Sequence, residues 1–213
     1  MKDSEYWNIF VNGQKQILEV IYTKYYDHLL NYGLKLYPDT DFIKDCIQDL
    51  FVKLYSGKNI KSTPCVRSYL LKSIRNIIID KLTKNKLYLS EKETPFHLII
   101  DDDELEKNFG ANNDEELLLV KKLINCYNQL SDKQRQIIYL KYIQELSHRE
   151  IAEILGINEQ SSMNLASRAL AKLRKLLLDK NNQSFFNSET LEKNLILLLL
   201  MNRQTFYKAN HST

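Results

Sequence analysis

The chain has 213 residues, 44% of them hydrophobic, with five Gly, three Pro and a net charge of +3. So little turn-forming material disfavours a sheet protein, and we predict an all-α chain of one or two domains. Three cysteines without ligand-like spacing argue against a disulfide framework and a zinc site, and the lack of a glycine-rich phosphate loop or a catalytic triad argues against an enzyme.

Hydropathy predicts where the protein works. No signal peptide precedes MKDSEYWN, and no run of about 18 apolar residues occurs in the sequence. We therefore expect a soluble, cytoplasmic protein. From the residue spacings described above, we also expect that it holds neither a metal nor another cofactor.

The first strong helical pattern follows a segment, residues 1 to about 12, that has no clear periodicity. Apolar residues then recur at helical spacing from Leu18 to Tyr32, with Tyr22 among them, and Gly33 is expected to end this helix. A second apolar stripe runs from Phe42 to Leu54 at nearly ideal spacing. Two such helices can bury their faces against each other as an antiparallel pair.

The opposite face of the second helix carries a compact polar group. Asp45, Gln48 and Asp49 lie at positions i, i+3 and i+4 and therefore share a face. Such a group is either ordinary solvated surface or a docking site for a basic partner, and the spacing alone does not decide between them.

A loop with Gly57 and a Ser-Thr-Pro group precedes a strongly basic helix, which Thr63 and Pro64 are predicted to cap and open. Its buried face is expected to contain Val66, Leu70, Ile74, Ile77 and Leu82. Its outer cations are Arg67, Lys72, Arg75, Lys81, Lys84 and Lys86. With Asn76 and Tyr69 beside these cations, the helix has the composition of a surface that binds phosphates and stacks on an unpaired base.

Acidic residues are concentrated in one connecting segment. Between residues 89 and 117, ten acidic residues stand against two basic ones, so the rest of the chain is distinctly basic. Basic modules on both sides of an acidic connector are typical of a nucleic-acid binder with a solvated linker, although the run by itself is also what an ordinary solvated loop shows.

Two further helices are predicted before the last strong motif. One covers about residues 113–130, and a capping box of Ser131 and Gln134 begins the other. Their apolar residues are expected to be core, while Lys133, Arg135 and Lys141 are candidates for phosphate contacts.

The stretch from Leu146 to Leu177 has the pattern of a helix-turn-helix. A capping box of Ser147 and Glu150 predicts a helix that begins at about His148. The side chain of His148 is expected to face solvent. Gly156 ends this helix and Asn158 caps the next one. The predicted inward residues are Ile151, Ala152 and Leu155 in the first helix and Ala166, Ala169, Leu170, Leu173 and Leu177 in the second. Amides and hydroxyls early in the second helix suit the major groove, but helix pairs joined at a glycine also occur in proteins that never touch DNA.

Three runs together resemble one family. IKDCIQDLFVKLY resembles the polymerase-clamp-binding region of bacterial sigma factors, and YLLKSIRNIIIDKL is similar to their promoter-melting helix. LSDKQRQIIYLKYIQELSHREIAEILGI followed by SRALAKLR is similar to their fourth region, which reads the upstream promoter element. Their order, with a short acidic linker in place of a central domain, indicates the extracytoplasmic-function class over about residues 10–178.

The resemblance implies a transcription initiation factor that binds core RNA polymerase, directs it to specific promoters and assists promoter melting. It implies a region 2 domain at 1–88, a flexible acidic linker at 89–113 near the RNA exit path, and a region 4 helix-turn-helix domain at 114–180. We expect the extension at 181–213 to be helical and either to pack on one of these domains or to bind an inhibitory anti-sigma protein.

The resemblance also implies roles for individual residues. Polymerase binding is assigned to Asp45, Gln48 and Asp49, with Phe51 bracing their helix. The loop from about Gly57 to Pro64 would trap a flipped base of the minus-ten element. The other minus-ten contacts are Arg67, Tyr69, Lys72, Arg75 and Asn76, and the minus-35 contacts are Gln160, Ser161, Asn164, Ser167, Arg168 and Lys172.

The recognition helix departs from the family's pattern. Where the family commonly has Val, then Lys or Arg, and another Arg two places on, this chain has Ser162, Met163 and Leu165. The loss of two cations predicts weaker recognition of the upstream element, or recognition of a different sequence.

A dimeric helix-turn-helix repressor or activator is the alternative. It would use Leu146–Leu177 in the same way and would bind a palindrome without polymerase. This alternative gives no reason for the polar group at Asp45–Asp49 or for the cationic helix after Pro64.

Overall fold

The computed structural model describes residues 2–57, 60–84, 96 and 114–177, and in the last range it describes side chains from 121 onward. Within these residues the regular secondary structure is helical, which confirms the all-α prediction. The chain divides into two compact units. One comprises Met1–His97 with Arg149–Ile157, and the other comprises Leu98–His148 with Asn158–Thr213. The domain bounds predicted at 88, 113 and 180 stay predictions.

The Met1–His97 segment of the first unit contains the helices α1 (Asp3–Val11), α2 (Ile17–Leu36), α3 (Thr40–Ser56) and α4 (Val66–Lys84). The last three pack against one another in every pairing, and α1 packs on α2 and α4. The predicted stripe of α3 is confirmed from Ile43 to Leu54, while Phe42 at its start is only half-buried. All five predicted core residues of α4 are buried: Val66, Leu70, Ile74, Ile77 and Leu82.

The sequence pattern does not predict α1. Its buried residues are Trp7 and Phe10, whose rings meet edge to face with centroids 5.4 Å apart. Two buried positions in a helix of nine residues form too short a stripe for periodicity to detect. This helix is therefore stabilised by contacts with α2 and α4 rather than by an amphipathic pattern of its own.

The expectation that α2 ends near Gly33 is wrong, because the helix continues to Leu36. A Cβ atom at residue 33 would lie only 2.5 Å from Ile43 Cγ2. Gly33 therefore permits the close approach of α3 instead of a turn. The chain reverses after Leu36, and the Asp39 carboxylate caps α3 by accepting a hydrogen bond from the Phe42 amide at 3.0 Å.

The start of α4 lies two residues later than predicted, at Val66, so Pro64 precedes the helix. Thr63 caps the turn locally, since its hydroxyl accepts a hydrogen bond from the Cys65 amide at 3.2 Å. The Ser68 hydroxyl donates to the Cys65 carbonyl at 3.0 Å. Side chains on both sides of Cys65 thus hold the turn into α4.

The remaining helices are α5 (Asp114–Asn128), α6 (Asp132–Ile138), α7 (His148–Leu155) and α8 (Glu159–Leu177). In the second unit, α8 packs on α5 and α6. The predicted capping box of α6 is confirmed, since the Ser131 amide donates to the Gln134 side chain and the Gln134 amide donates to the Ser131 hydroxyl. A π-helical turn, Tyr139–Ile143, extends α6 and was not predicted.

The bounds of α7 and α8 agree with the predicted helix-turn-helix. Gly156 has a positive φ of 66°, and the Asn158 side chain accepts a hydrogen bond from the Ser161 amide at 2.7 Å. The inward face of α7 differs at one position, because Ile154 is buried and Leu155 is half-buried. In α8 the buried residues are Ala166, Ala169, Leu173 and Leu177, as predicted, and Leu170 is half-buried.

Phe96, in the predicted acidic linker, is buried, and its ring centroid lies 6.5 Å from that of Tyr32. The rest of the predicted linker and the predicted helix within 181–213 lie outside the described residues. Within the part of the chain that the structure describes, no helix combines the length and the apolar character needed to cross a bilayer. The same residues contain no group of His, Cys, Asp and Glu that could hold a metal ion.

Candidate functional site

An open groove of about 810 Å³ runs along α2 and α3 in the first unit. Phe51 is buried in its wall, with its ring 4.9 Å from that of Tyr22. Val52 and Tyr55, which also line the groove, are 57% and 59% exposed. Large apolar side chains that remain exposed beside one another mark an interaction surface. Tyr22, predicted for the apolar face of α2, is 40% exposed and belongs to this surface.

Polar and charged side chains also line the groove. Asp45 and Gln48 are exposed there, on the same helix as Phe51. Lys15 lies 4.7 Å from the centroid of the Tyr55 ring and donates to the Tyr55 carbonyl at 2.5 Å. The structure thus brings three of the four predicted polymerase-binding residues, Asp45, Gln48 and Phe51, into one groove.

The fourth predicted residue, Asp49, does not line the groove. Its carboxylate lies 2.7 Å from the Lys81 ammonium group of α4, and this hydrogen bond raises the pKa of Lys81. Burial raises the pKa of the nearby Cys46 thiol to about 11, so this cysteine stays protonated near neutral pH. Lys81, predicted to be one of the outer cations of α4, is thus paired with an acid of the neighbouring helix.

The predicted minus-ten residues of α4 differ in exposure. Lys72 and Asn76 are exposed, whereas Arg67 and Arg75 are half-buried. The Nε atom of Arg75 is buried without a hydrogen-bond partner among the described residues. That unsatisfied donor is unusual for a buried polar atom.

The loop ahead of α4 is anchored to α1, a contact that no pattern in the sequence predicts. The Trp7 Nε1 group donates to the Lys61 carbonyl at 3.0 Å, and the Ser62 hydroxyl donates to the Asn8 Oδ1 atom. Half-buried Tyr69 lies against Trp7, with ring centroids 5.0 Å apart. The available signal was the single tryptophan of the chain, because a buried indole N–H group almost always has a partner.

The predicted minus-35 residues are all exposed on α8: Gln160, Ser161, Asn164, Ser167, Arg168 and Lys172. The Gln160 Nε2 group donates to the Asn164 Oδ1 atom at 3.2 Å, which orients both amides at the start of the helix. The Lys172 ammonium group donates to the Gln129 carbonyl at 2.5 Å. Lys172 is thus already engaged within the second unit, whereas Arg168 is exposed one turn earlier.

Of the three recognition-helix residues that differ from the family's pattern, one is buried inside the protein. Ser162 is fully buried, and its hydroxyl lies 3.1 Å from the His148 Nδ1 atom. His148, expected to face solvent, is half-buried with one ring nitrogen turned to Ser162, and burial lowers its pKa. Leu165 is half-buried, so Met163, at 42% exposure, is the departure that most changes the outer surface of α8.

Two family models match the chain in the order that its motifs predict. The model described as Sigma-70 region 2 matches residues 21–88, which reach from within α2 through α3 and α4. The model described as Sigma-70, region 4 matches residues 121–173, which reach from within α5 into α8. The chain therefore belongs to the sigma-70 family.

Similar proteins narrow the class. The chain is 25% identical to the ECF RNA polymerase sigma factor SigM of Bacillus subtilis over 75% of its own length and 94% of that protein. It is 28% identical to the ECF RNA polymerase sigma factor SigW of the same bacterium, over 78% and 92% of the two chains. It is also 27% identical to bacteriocin UviA of Clostridium perfringens, over 76% and 92%. The predicted extracytoplasmic-function class is confirmed by these matches.

Proposed function

We propose that this protein is a transcription initiation factor that binds core RNA polymerase, directs it to specific promoters and assists promoter melting. The observation that carries the proposal is the presence of both family regions on one chain, in order, with similarity along nearly the whole of two sigma factors. Members of this family are typically regulators without catalytic activity. The chain accordingly works as a non-enzymatic factor, in the cytoplasm beside the polymerase.

The groove on α2 and α3 is the proposed docking surface for the coiled-coil clamp of the largest polymerase subunit. Tyr22, Val52 and Tyr55 offer exposed apolar area, and burying such area stabilises a complex by about 25 cal/mol per Å². Asp45 and Gln48 add hydrogen-bond acceptors for basic groups of the partner. Aromatic residues in a pocket with polar neighbours are typical of the few positions that dominate affinity in an interface.

The outer side of α4 and the loop of residues 60–65 are the proposed minus-ten surface. Lys72 is an exposed cation for the phosphate backbone, and Asn76 is an exposed amide on the same helix. Arg67 and Arg75 add guanidinium groups, which suit phosphate oxygens better than ammonium groups do. Extracting a base from the stack costs a few kcal/mol, so this surface needs the additional binding energy that anchoring to polymerase supplies.

The first turns of α8 are the proposed reader of the minus-35 element. Gln160, Ser161 and Asn164 are exposed there, and amide side chains match the major-groove edge of adenine. Arg168 follows one turn later, where a cation can meet a phosphate. Because Met163 replaces the family's usual cation, we expect a weaker electrostatic contribution at this element than in other members.

The test is transcription from a DNA library with purified core polymerase of Bacillus subtilis. Each template carries a random upstream region before one fixed transcribed sequence, and the 5′ ends of the transcripts are sequenced. We expect transcripts only when the chain is added, from templates that share two separated sequence elements. Core polymerase alone is the control, and no chain-dependent transcript at any template would contradict the proposed function.

A dimeric repressor is not favoured, because a helix-turn-helix alone does not explain the region 2 match at residues 21–88 or the groove within it. The two functions differ in one simple observation. A repressor binds its operator without polymerase, whereas an initiation factor of this kind requires the core enzyme for specific binding.

A further inference from the structure

The short helix α1 contacts the loop ahead of α4 at two consecutive loop residues. Trp7 donates from its indole nitrogen to the Lys61 carbonyl at 3.0 Å. Asn8, the next residue of α1, accepts a hydrogen bond from the Ser62 hydroxyl. The first contact fixes the loop backbone and the second fixes a neighbouring side chain, so two adjacent residues of one helix determine the path of the loop.

The anchor itself is rigid. Trp7 is fully buried, and its ring contacts Phe10 of α1 at 5.4 Å and Tyr69 of α4 at 5.0 Å between centroids. An aromatic ring held from two sides loses little freedom when its N–H group binds the loop. The Lys61 carbonyl therefore has a fixed position relative to α4 before any ligand arrives.

The other side of the loop faces solvent. Lys61, Ser62 and Pro64 are exposed, although the first two are held from behind by α1. The loop also ends in a capped turn, since Thr63 accepts from the Cys65 amide at 3.2 Å. A loop that is exposed and yet held by several hydrogen bonds has little ordering entropy left to lose when it binds a ligand.

We propose that Trp7 and Asn8 are positioning residues, which hold the loop of residues 60–65 in the shape that accepts an unstacked promoter base. The inference rests on the proposed function and adds to it a region that the family model, starting at residue 21, does not cover. Neither residue touches the base. Both act through the Lys61 carbonyl and the Ser62 side chain, and their effect is on which base the loop accepts.

The test uses the full chain bound to core polymerase and a pool of random DNA single strands of about 20 nucleotides, longer than the site of one single-strand-binding domain. Bound strands are sequenced, and the readout is the enrichment of the preferred base at the most selective position. Asn8→Ala removes the acceptor for Ser62 at an exposed position, so folding is retained. Asn12→Ala is the matched control, because Asn12 is also exposed at the end of α1 and is not hydrogen-bonded to the loop.

We expect Asn8→Ala to reduce that enrichment by about fivefold, because the loop is no longer pre-organised by the hydrogen bond to Ser62. Asn12→Ala should leave the enrichment unchanged. Association with core polymerase should be the same for both variants. Wild-type enrichment in Asn8→Ala, or an equal loss in both variants, would overturn the proposal. Binding of the wild-type chain to core polymerase is measured first. If the wild-type chain does not bind, the proposed function itself is contradicted.

Trp7→Phe is the second variant, since it keeps an aromatic ring and removes only the indole donor and part of the ring area. Ile43→Val is its control, because it trims a buried side chain where α3 approaches Gly33, outside the ring contacts that hold Trp7. Both variants are expected to lower the melting temperature, but only Trp7→Phe should lose base preference. Equal base preference in the two variants at comparable melting temperatures would show that Trp7 acts only through stability and would overturn its part in the proposal.

Discussion

At the residue scale, the packing of one glycine sets how closely α2 and α3 approach. A methyl group at Gly33 would lie 2.5 Å from Ile43 Cγ2 and 3.3 Å from its Cδ1 atom. We expect Gly33→Ala to lower the free energy of unfolding by about 1–3 kcal/mol, the usual cost of overfilling a core. Denaturant unfolding of the full chain measures this difference.

Ile43→Ala gives the control for this prediction. It creates a cavity and is destabilising by itself, but it removes the atoms that an alanine at Gly33 would strike. The double variant should therefore be more stable than the sum of the two single losses predicts. Full additivity, or wild-type stability of Gly33→Ala, would show that the two helices are not in close contact at this point.

His148 gives a prediction about pH. Burial and then the charge of Lys141 lower its pKa, while Glu159 acts in the opposite direction. The folded state therefore favours the neutral imidazole, and as pH falls through the ordinary value of 6.5 the unfolded state takes up the proton more readily. The stability that this residue contributes is full above that pH and is lost below it.

The measurement compares denaturant unfolding of the wild type and of His148→Gln at about pH 7.5 and about pH 5.5, on either side of the ordinary histidine pKa. Glutamine does not titrate and can still bond to Ser162. We expect the wild type to lose more stability than the variant on acidification. Equal losses in both proteins would show that folding does not lower the pKa of His148.

At the scale of elements, α3 carries two acids with different neighbours. Asp45 lines the groove, whereas Asp49 is bonded to Lys81 of α4. If the groove binds the polymerase clamp, Asp45→Asn should weaken association with core polymerase by about tenfold, as loss of a charged contact within an interface does. Asp49→Asn should weaken association by less than about threefold and change stability little, because a partly exposed ion pair contributes only about 0–1 kcal/mol.

Fluorescence anisotropy of a labelled chain titrated with core polymerase measures both affinities. Asp41→Asn is the control, since Asp41 lies on the same helix, is 95% exposed at its side chain and is not part of the groove. A larger effect at Asp49 than at Asp45 would place the docking surface at the Asp49–Lys81 pair rather than in the groove.

The start of α8 gives a second prediction at this scale. Met163 is exposed where the family commonly has a cation, so Met163→Arg should add one phosphate contact. We expect the slope of log affinity against log salt concentration to become steeper by about 0.9 in promoter binding by the holoenzyme. Met163→Gln, polar but uncharged, is the control, and equal slopes in the two variants would show that residue 163 does not reach the DNA backbone.

At the scale of the whole molecule, local patterns predicted most of the helices. Three predicted features depend on neighbours within a few residues, which a sequence displays directly: the apolar stripe of α3, the Ser131 capping box and the turn at Gly156. The patterns did not predict contacts between distant residues, such as Trp7 with Lys61 or Asp49 with Lys81. Such pairs depend on how helices pack, and hydrophobic periodicity carries no information about which exposed partner a side chain will find.

The candidate site shows the same division. The sequence indicated which face of α3 was polar, but the groove also depends on Tyr22 of α2, which the pattern had assigned to the core. Likewise, Ser162, which differs from the family's pattern, is buried, and its hydroxyl contacts His148. In both cases the sequence predicts the helix, but it does not predict the direction in which one side chain points.

We expect this chain to read promoter DNA only as part of a polymerase complex. Electrophoretic mobility shift of a promoter fragment found in the transcription library, with and without core polymerase, tests it most directly. We predict a specific shift with chain and core together, and none with either alone at the same concentrations. A specific shift by the chain alone, unchanged when core polymerase is added, would contradict it.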